Sequence, residues 1–169
     1  LRVIAVTGSV GKTTTKTLCA AVLRVAFPTF CREGNFNSVI GMPLCVPGIG
    51  TDVRAAVLEM GMSARGEISA LSRAACPDIA VITNIGSSHL ESLGTRENIA
   101  RQDITLRPVS LTDKAADFFV SGIRAAADGT VFDLRLPDGS VWRDLRIPAP
   151  GRHLLLDAAY AAGVGYLSG

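Results

Sequence analysis

Gly8-Ser9-Val10-Gly11-Lys12-Thr13-Thr14 puts two glycines, a lysine and a run of hydroxyl residues into seven consecutive positions. These types suit an anion. Glycines let backbone N–H groups turn toward phosphate oxygens, and a helix N-terminus behind them favours negative charge. Lys12 would meet β- and γ-phosphates, and Thr13 would place its hydroxyl on Mg2+. The strict GxxxxGK[ST] pattern asks for a glycine where Val6 stands, so the loop departs from it. A chance glycine turn with a surface lysine is the competing reading, and the flanking elements weigh against it. Two further residues belong with this loop if the fold brings them to it: the carboxylate of Glu59 and the imidazole of His89.

The elements that must position these groups are legible as alternating patterns. Arg2 to Thr7 is a short β-branched run ending at Gly8, and Lys12 to Val25 carries apolar groups at helical spacing: strand, glycine turn, helix. Val53 to Met60 is a second apolar run, closing on Glu59-Met60-Gly61. Ile68, Leu71 and Ala75 mark one face of a helix that stops before Pro77, and Ile79 to Asn84 is the next strand. Nearly apolar strands separated by helices predict a parallel sheet covered on both faces, with chemistry at the C-terminal strand ends. Beyond Arg101, the stretches Ile104 to Leu111, Asp117 to Ile123, Val131 to Leu136 and Val141 to Ile147 predict a small antiparallel meander, with a hairpin turn at Pro137-Asp138-Gly139-Ser140. Arg152 to about Leu167 reads as a closing helix. The fold class expected is α/β, a mostly parallel sheet flanked by helices plus that meander.

Composition bounds the function. The 169 residues fit one domain, and 48% hydrophobic against 19% charged is enough for a full core. Seventeen Lys and Arg against 15 Asp and Glu leave a net charge of +2 without a basic run, so nothing supports tracking along nucleic acid. No apolar stretch approaches the ~20 residues of a membrane span. Cys19, Cys31, Cys45 and Cys76 are too scattered for paired CxxC zinc ligation or a disulfide scaffold, and read as reduced thiols of a soluble, cytoplasmic protein. Leu1 already belongs to an apolar strand, which predicts a fragment of a longer chain.

The residues also match a family. TGSVGKTTTK (Thr7 to Lys16) resembles the shortened phosphate loop of the Mur ligases, the ATP-dependent enzymes that add amino acids to the peptidoglycan precursor. GNFNSVIGMPL (Gly34 to Leu44), LEMGM (Leu58 to Met62) with GEI (Gly66 to Ile68), PDIAVITNIG (Pro77 to Gly86), SHLESLG (Ser88 to Gly94) with ENIAR (Glu97 to Arg101), and PGRH (Pro150 to His153) follow in the family's order. The resemblance covers nearly the whole chain and implies the central ATP-binding domain, residues 1–169, without the N-terminal UDP-substrate domain and the C-terminal domain. EMG followed by GEI resembles the members that join D-alanyl-D-alanine to UDP-N-acetylmuramoyl-tripeptide. ATP, Mg2+ and those two substrates are therefore what the resemblance implies; a monomer is the expected state, which the sequence itself does not report.

The same resemblance assigns roles. Glu59 would hold Mg2+ beside the γ-phosphate, against a plain strand-end carboxylate. His89 would bind a second Mg2+, although a lone histidine is more often structural. Asn84 would orient nucleotide or substrate near the phosphates, or cap the strand's turn. Asn35 and Asn37 match a loop at the active-site edge, with turn formation the alternative. His153 and Asp157, four apart on one helical face, match the adenine-side segment. Lys16 is expected to be a solvated helix lysine.

Two departures stand out. Asparagines are usual where Leu154 and Asp157 stand. The modified lysine that relatives carry about fourteen residues after the histidine would fall at Asp103, and no lysine occurs between Lys16 and Lys114. Members of the family also have a longer stretch between ENIAR and the meander, so Arg101-Gln102-Asp103 reads as a join across missing residues, which were either left out or lost from this variant. The expected reaction activates the tripeptide carboxylate as an acyl phosphate, which the dipeptide amine attacks; this piece alone is expected to bind nucleotide weakly and ligate nothing. The alternatives are another amide ligase of the superfamily, of the folylpolyglutamate or cyanophycin synthetase type, and a non-catalytic nucleotide-binding domain.

Overall fold

A computed structural model describes residues 1–34, 36–84, 107–149 and 151–169. The β-branched run Arg2–Thr7 forms β1 and pairs on either side with β3 (Ala55–Glu59) and β4 (Ile79–Ile82), while β2 (Thr29–Cys31) extends the sheet beyond β3. The order is β2-β3-β1-β4 and every pairing is parallel, with Val6 opposite Glu59 and Thr7 opposite Ile82. Parallel register fixes the consequence: Gly8, Glu59 and Thr83 all emerge at one sheet edge. The three-residue β2 has no sequence signal, because three residues cannot display a period.

Alternation along the strands divides the core. Ile4, Val6, Ala55, Val57 and Val81 pack on Cys19, Ala20 and Leu23 of α1 (Lys12–Leu23). Ala5 and Leu58, pointing the other way, meet Leu71 of α2 (Glu67–Ala75) and Met42, which precedes a 3-10 turn at Pro43–Gly48. Both faces of the sheet are therefore covered, and its strands read as unbroken apolar runs for that reason. Glu67, of the GEI motif, acts locally. It accepts the N–H groups of Ser63 and Ala64, which hold its carboxyl below the usual carboxylate range.

The second sheet is ordered β5 (Val109–Ser110), β6 (Phe118–Ala126), β7 (Gly129–Arg135), β8 (Val141–Ile147). β6, β7 and β8 form the expected meander, and Gly139, with φ 84°, makes the expected hairpin turn. The sheet is mixed rather than all antiparallel, since β5 pairs parallel to β6. Ser110 Oγ accepts the N–H groups of Thr112 and Asp113, and Asp113 Oδ1 accepts that of Ala115. These side-chain turns carry the chain back to the start of β5, a reversal that periodicity does not show.

α3 (Arg152–Ser168) lies between the sheets. Ala161 and Val164 join the core of the parallel sheet, while Leu155 and Ala159 pack on Phe118, Val120, Phe132 and Leu134. A helix apolar around its circumference is one covered on several sides. It brings Asp157 to the glycine loop and Tyr160 to Thr83 beside it. No helix among the described residues is long and apolar enough to cross a membrane.

Candidate active site

Gly8 leaves β1 with φ 130°, and a Cβ there would lie 2.3 Å from Thr83 Oγ1 and 2.9 Å from the Asn84 carbonyl oxygen. Gly11, with φ 86°, opens α1, and no side chain caps the helix. The first bond of its ladder runs from Thr15 N to Gly11 O, so the amides of Lys12, Thr13 and Thr14 precede it. Thr13 and Thr14 are exposed. An uncapped helix start behind two left-handed glycines is an anion cradle.

The loop is shaped by its neighbours. Asn84 Oδ1 accepts the N–H groups of Ser9 at 3.1 Å and Val10 at 2.9 Å, and Thr83 Oγ1 donates to the Val10 carbonyl at 2.5 Å. Tyr160 donates its hydroxyl to the Thr83 carbonyl at 2.8 Å. Lys12 Nζ arches back to the carbonyls of Gly8, at 2.9 Å, and Ser9, at 3.4 Å. Asn84 thus clamps the loop from the end of the neighbouring strand.

Glu59 ends β3 at the same edge and is only 4% exposed. Its Oε2 accepts the Thr13 hydroxyl at 3.0 Å, and its Oε1 accepts Asn37 Nδ2 at 2.9 Å. Asn37 also takes the Gly61 N–H on its carbonyl, at 2.7 Å, so it closes a turn and reaches the carboxylate at once. The third partner is Lys16, whose Nζ lies 3.3 Å from Oε2. Lys16 is not the solvated lysine its position predicts: at 4% exposed, it lies on the side of α1 that also buries Thr15, Cys19 and Ala20. A buried carboxylate needs a partner, and this lysine supplies it.

Residues 6–108 match the model of the Mur ligase middle domain. The chain belongs to that family. It is 55% identical over 105 residues to the UDP-N-acetylmuramoyl-tripeptide–D-alanyl-D-alanine ligase of Bacillus subtilis (strain 168), a match covering 62% of this chain and 23% of the relative. To the Escherichia coli (strain K12) protein of the same name it is 29% identical over 194 aligned positions, covering 96% of this chain and 42% of the relative. The structure superposes on the MurF ligase of Thermotoga maritima in complex with ADP with a TM-score of 0.79 and 27% identity, covering 99% of this chain and 45% of the other. The chain thus spans about two fifths of the length of the relatives that match it throughout.

In this Mur ligase middle domain the Thr13 hydroxyl and the Glu59 carboxylate are the residues that could hold a cation. Both are hard oxygens 3.0 Å apart, beside the phosphate-facing amides, which fits Mg2+ held by one carboxylate and by a ligand's phosphates. No cluster of three or more His, Cys, Asp or Glu occurs among the described residues. His89, Asn35 and Asp103 lie outside the described residues.

His153 and Asp157 differ in setting. His153 is exposed at the start of α3, whereas Asp157 is 8% exposed and lies under the loop. A Cβ on Gly11 would come 2.9 Å from Asp157 Oδ1, and that oxygen accepts the Thr15 hydroxyl at 2.9 Å. Burial raises the Asp157 pKa above the usual carboxylate value, while the Thr15 bond and the nearby His153 pull the other way.

Proposed function

We propose that this middle domain is the ATP-binding part of an amide ligase that joins D-alanyl-D-alanine to UDP-N-acetylmuramoyl-tripeptide. The observation that carries the reading is the meeting of Thr13 and Glu59 at the mouth of an uncapped, glycine-led helix start. The substrates are supported by the name shared by the B. subtilis and E. coli relatives, and the nucleotide by the ADP in the T. maritima complex. The domain would work in the cytoplasm within a monomer, between an N-terminal UDP-substrate domain and a C-terminal domain. The E. coli alignment runs over 194 positions against the 169 residues present here, which supports a segment in that relative that this chain lacks.

In this reading the amides of residues 11–14 bind the phosphates, and Lys12 moves from the Gly8 and Ser9 carbonyls to phosphoryl oxygens. Thr13, Glu59 and His89 would hold Mg2+, which when bound supplies neutralisation of the phosphoryl charge. A carboxylate is too poor an electrophile to form an amide directly. The tripeptide carboxylate oxygen therefore attacks the γ-phosphorus, ADP leaves, and a mixed acyl phosphate results. The dipeptide's free amine then attacks the acyl carbon, loses a proton, and expels inorganic phosphate. Positioning and charge stabilisation do most of the work.

The bond order can be read with isotope. With the full-length protein and tripeptide precursor labelled with oxygen-18 in its terminal carboxylate, one label per turnover should appear in inorganic phosphate. Unlabelled phosphate accompanied by amide product would overturn the acyl phosphate route.

A further inference from the structure

We infer that Lys16 is a positioning residue for the metal-bound nucleotide, acting through Glu59 and from there through Thr13. The inference rests on the nucleotide-site reading above. An ammonium has three donors. Those of Lys16 meet the Arg32 carbonyl at 3.2 Å, the Gly34 carbonyl at 3.2 Å and Glu59 Oε2 at 3.3 Å. One buried cation therefore ties α1 to the chain after β2 and to the end of β3. It sets both partners of the carboxylate. By holding residues 32 and 34 it brings the following turn close enough for Asn37 to reach Oε1, and by lying on Oε2 it fixes the oxygen that accepts the Thr13 proton. A hydroxyl whose proton is committed to Glu59 presents its lone pairs to a cation.

The space behind the pair points the same way. The cavity lined by Lys16, Arg32, Gly34, Phe36 and Glu59 is about 10 Å3, no larger than one water. Among the described residues that space is too small for a hydrated metal ion, which favours approach to Glu59 from the side of Thr13 and the helix-start amides, with Lys16 behind it. Lys12 and Lys16, one helical turn apart, thus have separate roles. Lys12 attends to the loop carbonyls and the ligand, and Lys16 to the carboxylate.

The test compares ADP affinity with Mg2+ and with EDTA for the full-length wild type, Lys16→Met, Glu59→Gln and the double variant. The wild-type gain from Mg2+ should fall at least about tenfold in Lys16→Met and in Glu59→Gln, and the double variant should lose no more than either single one. Metal-free ADP affinity should stay within about threefold of wild type, because the loop amides and Lys12 are untouched. If Lys16→Met does not fold, Lys16→Gln reads the same quantity, since it keeps donors for the Arg32 and Gly34 carbonyls and loses the charge. A Mg2+ gain that survives in the Lys16 variants while their melting temperature falls makes Lys16 purely structural and overturns the inference alone. Absence of any Mg2+ gain in the wild type overturns the site reading and the inference together.

Discussion

Thr15 donates its hydroxyl to Asp157 Oδ1 across 2.9 Å, joining the first turn of α1 to a residue 142 positions later in the chain. That contact passes beneath Gly11 and makes α3 part of the loop's support. Removing the acceptor in Asp157→Ala leaves a buried hydroxyl unsatisfied and should cost about 1–3 kcal/mol in a urea titration. An unchanged midpoint would contradict this.

Asp157 also sets a pH dependence. Because burial raises its native pKa, the native state holds the proton more tightly than the unfolded chain does. The stability this group contributes is complete below the ordinary carboxylate pKa of about 3.9 and is lost as pH rises through the raised native value. Asp157→Asn keeps an oxygen acceptor for Thr15 and removes the titration. Its stability profile between about pH 4 and pH 7 should be flatter than wild type, with the relative gain at the upper end. A variant that loses stability only near neutral pH would show the sign to be wrong.

Gly8 has no room for a side chain. One of the atoms that an added Cβ would strike is the backbone carbonyl of Asn84, which cannot swing away as a flexible side chain could. Gly8→Ala combines that clash with a left-handed backbone and should destabilise by about 1–3 kcal/mol while removing nucleotide binding. Calorimetry that finds wild-type ADP affinity would refute this account of the loop.

Thiol reactivity should follow burial. Burial, with Cys31 and Asp157 adding to it, pushes the Cys19 thiol up to about 12, and burial raises Cys31 as well, with Lys16 and Arg24 opposing. Cys76, at the end of α2, is exposed. Mass spectrometry of the alkylated native protein should show Cys76 modified first and Cys19 only after unfolding. Equal rates at Cys19 and Cys76 would contradict the packing of α1 on the sheet.

What sequence alone disclosed follows from what is local. The glycine loop, the parallel strands and Glu59 at a strand end are written in short windows, and they stand in the structure where their patterns place them. Lys16 was illegible because its burial depends on carbonyls of Arg32 and Gly34 and on Glu59, none of which a helical period registers. The parallel pairing of β5 was hidden for a similar reason, since side-chain turns at Ser110 and Asp113 reverse the chain without altering hydropathy. The resemblance places Asn84 near the phosphates and Asp157 on the adenine side, and only the fold reveals that Asn84 holds the Ser9 and Val10 amides and Asp157 the Thr15 hydroxyl.

The most direct test of the central claim is phosphate release from ATP by the full-length protein. Release should require both UDP-N-acetylmuramoyl-tripeptide and D-alanyl-D-alanine. In Lys12→Ala, which on this reading would lose a charged hydrogen bond to phosphate worth about 1.5–3 kcal/mol, it should fall by at least roughly tenfold. Release that is indifferent to the dipeptide, or that persists at the wild-type rate in Lys12→Ala, would contradict the assignment of this loop to an amide-forming phosphoryl transfer.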